Sequence, residues 1–189
     1  MREVFQEQLH EVQDRLVEMA ESVTSIITDA SNAFINSDVA LADRAIALAE
    51  SNERKALTLD ELVIRILARQ SPVSRDLRIL VSALRISASL ERMGALAGHI
   101  AAIARYRFPG SAIPANLKST FEEMGKLDID LARKITACLR STDVDQARAI
   151  QAQDERVDQL HRHIFDVVLA DSWKENAMFT VDVTLASRY

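Results

Sequence analysis

An all-α fold of two tandem, pseudo-repeated three-helix bundles is what this sequence predicts, the second bundle being incomplete in its last helix. Three observations predict it. Four Gly and three Pro stand among 189 residues, far below the usual roughly 7% and 5%, so there are few places where the backbone can turn or break. Between those places the apolar residues recur at spacings of three and four, the period of an amphipathic helix. The third observation is a weak internal repeat.

The breakers are "FINSDVA" near 36, "RQSPVS" near 72, "RFPGSAIPAN" from 107 to 116, "RSTDVD" near 142 and "ADSW" near 172. They cut the chain into six segments. The first carries Phe5, Leu9, Val12, Leu16, Met19, Val23, Ile26 and Ile27 on one stripe. Most segments run to about 30 residues, or roughly 45 Å of helix. Asp38, Ser71 or Ser74, and Asp143 are the expected N-caps, and Pro72 and Pro114 fall near helix starts, where a missing N–H costs little. The sixth segment, "KENAMFTVDVTLASRY", keeps its period through Met178, Val181 and Leu185 and shows no cap before Tyr189. Its counterpart, 74 to 106, is about twice as long, so the second bundle is expected to be truncated or completed from elsewhere.

Only the linker at 107 to 116 combines two Pro with a Gly. It divides the chain into 1–108 and 113–189. Sliding the first half by 105 residues sets "SDVALADRAIALAESNE" against "TDVDQARAIQAQDERVD", pairing Asp38 with Asp143 and Ala42 with Ala147. Each copy opens a second helix after the same kind of loop, which supports tandem units.

Composition narrows the function classes. A net charge of −5 with both signs interspersed argues against a nucleic-acid binder, which needs a concentrated basic surface to release phosphate counterions. The one cysteine, Cys138, excludes an internal disulfide and a thiolate cluster within one chain; sharing a face with Ile135 and Leu139, it reads as a core thiol. No run approaches a membrane span and the N-terminus has no signal-like apolar core. A cytoplasmic location is expected.

Three constellations could carry chemistry. In the third helix one stripe reads Leu77, Val81, Leu84, Ala88, Glu91, Ala95, placing Glu91 at or beside the core, where a carboxylate is costly unless paired, hydrogen-bonded or metal-bound. Glu53 on the second helix offers a companion, and two carboxylates from facing helices can hold a cation. Four would do so better, but Ala49 and Ala95 stand where the other two would be. Pairing with Arg54, Arg78 or Arg92 is the plainer alternative for both acids. In the second unit Asp154 matches Ala49 and Asp158 matches Glu53, an i, i+4 acidic pair that could chelate a divalent metal or simply face solvent. The third constellation is a basic line, Arg78, Arg85, Arg92 and His99, whose seven-residue spacing drifts only about 20° per heptad; it would suit an acidic partner surface or remain a solvated face. A di-iron carboxylate enzyme would use Glu-x-x-His pairs. Glu7 with His10 fits and Asp158 with His161 fits loosely, in different units. No phosphate loop or nucleophile–base set can be assembled, so an enzyme is not expected.

"RQSPVSRDLRILVSAL" followed by "LERMGALAGHIAAIAR" resembles the PhoU family of phosphate-transport accessory and regulatory proteins. The matching residues are Pro72, Asp76, Leu77, Arg78, Leu90, Glu91, Arg92 and Gly94, and "VDQLHRHIFDVVLADSWK" with "VDVTLASRY" is similar to the second repeat of actinobacterial members. The resemblance spans essentially the whole chain and implies two three-helix bundles. It also implies metal binding through acidic x-x-x-Asp pairs on the second and third helices of each repeat. Ala49 and Ala95 break that pattern in the first repeat, leaving Glu53 and Glu91 of a degraded site. Asp154 and Asp158 match in the second, where a divalent or ferric ion is implied, though the third-helix partners would lie past Tyr189. The resemblance further implies a cytoplasmic adaptor that binds the phosphate ABC transporter ATPase and its sensor histidine kinase, restrains phosphate uptake and represses phosphate-starvation genes. Membrane contact would be only through those partners. A homodimer is expected, and Arg78, Arg85 and Arg92 are the candidate partner contacts. A metal-dependent carboxylate bundle and a purely structural or lipid-surface helical protein remain the alternatives.

Overall fold

A computed structural model describes residues 2–141 and 143–188, and Tyr189, where the apolar period of the last segment runs out, lies outside them. Every regular element among the described residues is helical. They are α1 (Arg2–Asn36), α2 (Val39–Gln70), α3 (Ser74–Arg107), α4 (Lys118–Ser141), α5 (Val144–Val168) and α6 (Ala177–Ala186), with a single 3₁₀ turn, Ala115–Leu117, ahead of α4. The breakers act where the sequence places them. Asp38 caps α2 by accepting from the Leu41 N–H, and Asp143 caps α5 by accepting from the N–H groups of Asp145 and Gln146.

The start of α3 departs from expectation. Ser71 is not an N-cap but closes α2 in the left-handed region at φ 44°, Ser74 is already helical, and Val73 precedes α3 without a side-chain cap. Pro72 explains this, because the residue before a proline is driven out of the α region and α2 must end there. The last helix also departs, since α6 does stop within the described chain: Asn176 caps its start by accepting from the Phe179 N–H, and the Ser187 N–H bonds back to Val183 and Leu185 carbonyls at its end. Ten residues of α6 stand against 34 of α3.

The helix α1 is the spine. Its buried residues Val12, Leu16, Met19, Val23, Ile26 and Phe34 face α2 and α3 on one side, while further positions meet α4 on the other. That second contact joins the two halves. Phe34 packs edge-on against Phe121 with ring centroids 5.3 Å apart, the Thr24 and Thr136 hydroxyls share a hydrogen bond of 3.2 Å, and Arg140 forms an ion pair with Glu21. Burial of large apolar side chains at this seam, at about 25 cal/mol per Å², makes it an extension of the core.

The packing of α2 on α3 is set by two glycines. A Cβ on Gly94 would lie 2.9 Å from the Asn52 amide nitrogen, and one on Gly98 would lie 2.9 Å from the Ala49 Cβ. Both helices therefore approach closer than larger residues would allow. Asn52, fully buried, donates to the Leu90 carbonyl at 3.2 Å across this contact.

At the far end of α3, Arg107 donates to the Asp182 carboxylate at 2.6 Å and stacks its guanidinium 5.0 Å from the Phe179 ring. Both side chains are mostly buried, so this contact ties α6 to the last turn of α3.

Candidate functional site

The sequence-predicted site residues fall on three separate surfaces. Glu53 is exposed on α2 and Glu91 half-buried on α3, each one residue past the Asn52–Leu90 hydrogen bond. Among the described residues neither forms an ion pair with Arg54, Arg78 or Arg92. Ala49 and Ala95 flank them as half-buried methyl groups, so the helix pair offers two carboxylates and no more. A cation there would find two carboxylates and would have to complete its shell with water.

Asp154 and Asp158 are both exposed on α5, one turn apart. His161, three residues on, is turned away: its Nδ1 lies 2.7 Å from the Ser187 carbonyl and its ring packs edge-on to Phe165. The two aspartates form half of a donor set at best, and no group of three His, Cys, Asp or Glu suited to a metal occurs among the described residues. The third surface is the basic line. Arg78, Arg85, Arg92 and His99 are all exposed, and among the described residues none of the three arginines has an ion-pair partner. Leu77 and Val81, 41% and 39% exposed, stand beside Arg78 on the same helix.

One acidic residue escaped the sequence reading. Asp128 of α4 stands 105 positions after Val23, a residue only 1% exposed in α1. The same offset pairs Met19 with Met124 and Ile26 with Leu131, all buried, so it holds for the first helices of the units as well as the second. An aspartate therefore occupies a core position. Burial pushes its carboxyl up to about 7, with the nearby charge of Asp154 adding to the shift, and its Oδ2 has no hydrogen-bond partner. The signal was available in "KLDIDLARK" had the offset been applied to α4, where neighbouring positions keep their apolar match.

Asp128 and Asp154 line a cavity of ≈ 250 Å³ whose other walls are Ile27, Met93, Leu96, Leu131 and Ile150, among others. A second, larger cavity of ≈ 490 Å³ lies further along α3 and α5, between Leu9, Leu16, Ile79, Ile86, Leu139 and Ala147. Cys138 lines it half-buried, with its thiol 3.4 Å from the Asp143 carbonyl; it is thus an edge residue and not the core thiol expected. His10 lines the same cavity.

Two copies of one bundle plan, helices of this length and an acidic pair on the second helix invite comparison with known proteins. The PhoU domain family matches residues 16–104 and again 121–189. The chain belongs to the PhoU family. The two matched stretches of this PhoU chain coincide with its two three-helix units, and the gap between them contains the linker and the 3₁₀ turn. Similarity extends over the full length to a protein of Mycobacterium tuberculosis described as "Phosphate-specific transport system accessory protein PhoU homolog 2", at 38% identity over 100% of this chain and 89% of the relative. PhoU homolog 1 of Mycobacterium leprae is 35% identical over 100% of this chain and 85% of its own length. The crystal structure of PhoU from Pseudomonas aeruginosa superposes with a TM-score of 0.86 at 24% identity, covering 97% of this chain and 88% of that one, so the helical arrangement is that of a PhoU fold. No helix among the described residues is long and apolar enough to cross a membrane.

Proposed function

We propose that this chain is a regulatory adaptor of a phosphate-specific transport system, acting in the cytoplasm by binding and not by turnover. It would hold the transporter ATPase and the associated sensor histidine kinase in their restrained states when phosphate is sufficient, and so repress phosphate-starvation genes. The observation that carries the reading is the full-length match to a mycobacterial accessory protein of that system. Two features of the structure support binding over catalysis. The cavities are lined chiefly by apolar side chains. On an outer helix face Arg78, Arg85 and Arg92, without ion-pair partners among the described residues, present a line that an acidic partner surface would complement.

A homodimer belongs to the same proposal, because Met178, Val181 and Leu185 of α6 are each at least half exposed and an apolar patch of that kind favours association. For metal, the proposal is confined to the second unit. Asp154 and Asp158 would supply two oxygen ligands to a divalent or ferric ion whose role would be stabilising, and no step of the adaptor's action passes through it.

A triple Arg78→Ala, Arg85→Ala, Arg92→Ala variant tests the surface. Exposed substitutions of this kind change stability by less than about 0.5 kcal/mol each, so the variant should melt as the parent does yet lose pull-down of the kinase. Unchanged pull-down removes these arginines from the proposal. Complementation tests the function: in a strain deleted for its own PhoU proteins, this chain should restore repression of a phosphate-starvation reporter in phosphate-replete medium. Elemental analysis of the purified chain should find metal that an Asp154→Ala, Asp158→Ala variant loses; stoichiometric iron or manganese together with turnover would favour a carboxylate-bundle enzyme instead.

A further inference from the structure

The outer face of α2 carries charges that no neighbouring helix neutralises. Glu50, Arg54, Glu61 and Arg65 are exposed, and among the described residues none of them has an ion-pair partner. Leu57 and Ile64 stand among them, 61% and 59% exposed. At about 3.6 residues per turn these six side chains fall within an arc of roughly 100°. That arc lies opposite the buried stripe of Ala45, Asn52, Ala56, Leu59 and Val63, which faces α1 and α3. The second unit meets the first at α1 and α3, behind this face, so the length of α6 has no bearing on it.

The order of the charges identifies the occupant. Along the face they run acid, base, acid, base, and their positions are symmetric about the peptide bond between Leu57 and Thr58. A second α2 laid antiparallel about a two-fold axis at that point sets Glu50 opposite Arg65 and Arg54 opposite Glu61, each pair occurring twice. The two Leu57 side chains then meet at the axis, and Ala47 lies against Ala68 at either end. Other arrangements of the same two helices are penalised by like-charge contact. Laid parallel and in register, every charge faces its own kind. Sliding the antiparallel partner by one turn sets Glu50 against Glu61 in one direction and Arg54 against Arg65 in the other.

We propose that the outer face of α2 is a self-association surface that takes the antiparallel α2 of a second copy of this chain, an isologous contact. Burial of Leu57 and Ile64 supplies affinity, and the alternating charges fix direction and register. The contact is separate from the α6 patch and from the Arg78, Arg85, Arg92 line, and it holds whether or not the chain acts on phosphate transport. The paired stretch, 47–68, is roughly 33 Å long. One helix pair of that length belongs to the small class of interfaces, below about 1,200 Å² in total, so the dimer depends on protein concentration and is weakened by salt.

Sedimentation equilibrium of the whole chain at low salt measures the dimer. Arg54→Glu sets an acid opposite Glu61 twice per dimer and should raise the dissociation constant at least about tenfold. Adding Glu61→Arg to the same chain should return it to within about threefold of the parent, because the swapped charges again meet their opposites. These positions are exposed, so folding is retained, as helicity will check. Register is read by oxidative cross-linking in a Cys138→Ser background. Ala47→Cys and Ala68→Cys proteins should be joined at least about tenfold faster when mixed than when either is alone, since only the mixed pair brings the two thiols within reach of a disulfide. A chain that stays monomeric, a dimer indifferent to Arg54→Glu, a double variant no better than the single one, or a dimer in which positions 47 and 68 do not cross-link would each overturn the proposal, the last by placing the contact on another face.

Discussion

Val23 and Asp128 occupy equivalent places in the two units, yet one is a sealed core residue and the other a carboxylate beside a cavity. The same contrast runs outward from them. Ala49 lies under Gly98 in a close helix crossing, while its counterpart Asp154 is exposed and faces Asp128 across open space. In the first unit a helix of 34 residues completes the bundle; in the second the corresponding helix has ten. At Asp128 the acid is accommodated by a raised pKa, about 7, which burial causes first and the Asp154 charge second. The difference teaches that one bundle plan accepts an apolar side chain at these matched positions in one unit and a carboxylate in the other.

That comparison can be broken or sharpened by substitution, beginning with the seam that makes the units one core. Phe34→Ala removes a fully buried ring and its partner contact with Phe121, and should cost about 3–5 kcal/mol, read by urea denaturation of the whole chain. A loss below about 1 kcal/mol would mean that the halves are only loosely joined. Next is Asp128→Val, which restores the first-unit residue. Because the native carboxyl is raised to about 7 from 3.8, the folded state holds its proton more tightly than the unfolded state between those values. Stability of the parent therefore falls as pH rises from about 4 to 7 and is level above. The valine variant should match or slightly exceed the parent at pH 4 and exceed it by up to about 4 kcal/mol at pH 8. A gain independent of pH would show that Asp128 is solvated.

Smaller effects probe the closed unit. Gly98→Ala sets a methyl against Ala49, and the overpacking cost of about 1–3 kcal/mol outweighs the roughly 1 kcal/mol gained in helix propensity. A net loss of about 1 kcal/mol is expected in thermal melts, and a net gain would mean that the two helices can separate freely. The smallest effects come from the caps. Asp38→Ala and Asp143→Ala should each cost about 1 kcal/mol, the two values agreeing within about half of that, since both carboxylates accept from the first turn of an equivalent helix.

Much of this was legible beforehand. Scarce Gly and Pro with a three-and-four apolar period dictated helices, and the polar cap residues Asp38 and Asp143 marked two starts correctly because their side chains satisfy helix-terminal N–H groups wherever they occur. Ser71 and Ser74 misled because serine serves either end of a helix, and Pro72 between them decides which. The packing role of Gly94 was hidden: within the family motif it reads as part of a signature, and only its approach to Asn52 shows why a side chain is excluded there. Asp128 was missed for a different reason. Flanked by Leu127 and Ile129 in "KLDIDLARK", it shares its stretch with a second aspartate, and periodicity alone does not say which of the two faces inward. The two cavities were least legible of all, since each is lined from α1, α3, α4 and α5, distant in sequence.

Hydrogen exchange of the intact chain tests the contrast between the units most directly. Backbone amides of residues 42–55 in α2 and 147–160 in α5 are equivalent by the offset, differing in whether a third helix covers them. The account predicts exchange at least about tenfold slower in 42–55, because opening of α5 breaks fewer buried contacts. Equal protection of the two stretches, in a chain shown to be monomeric, would contradict it.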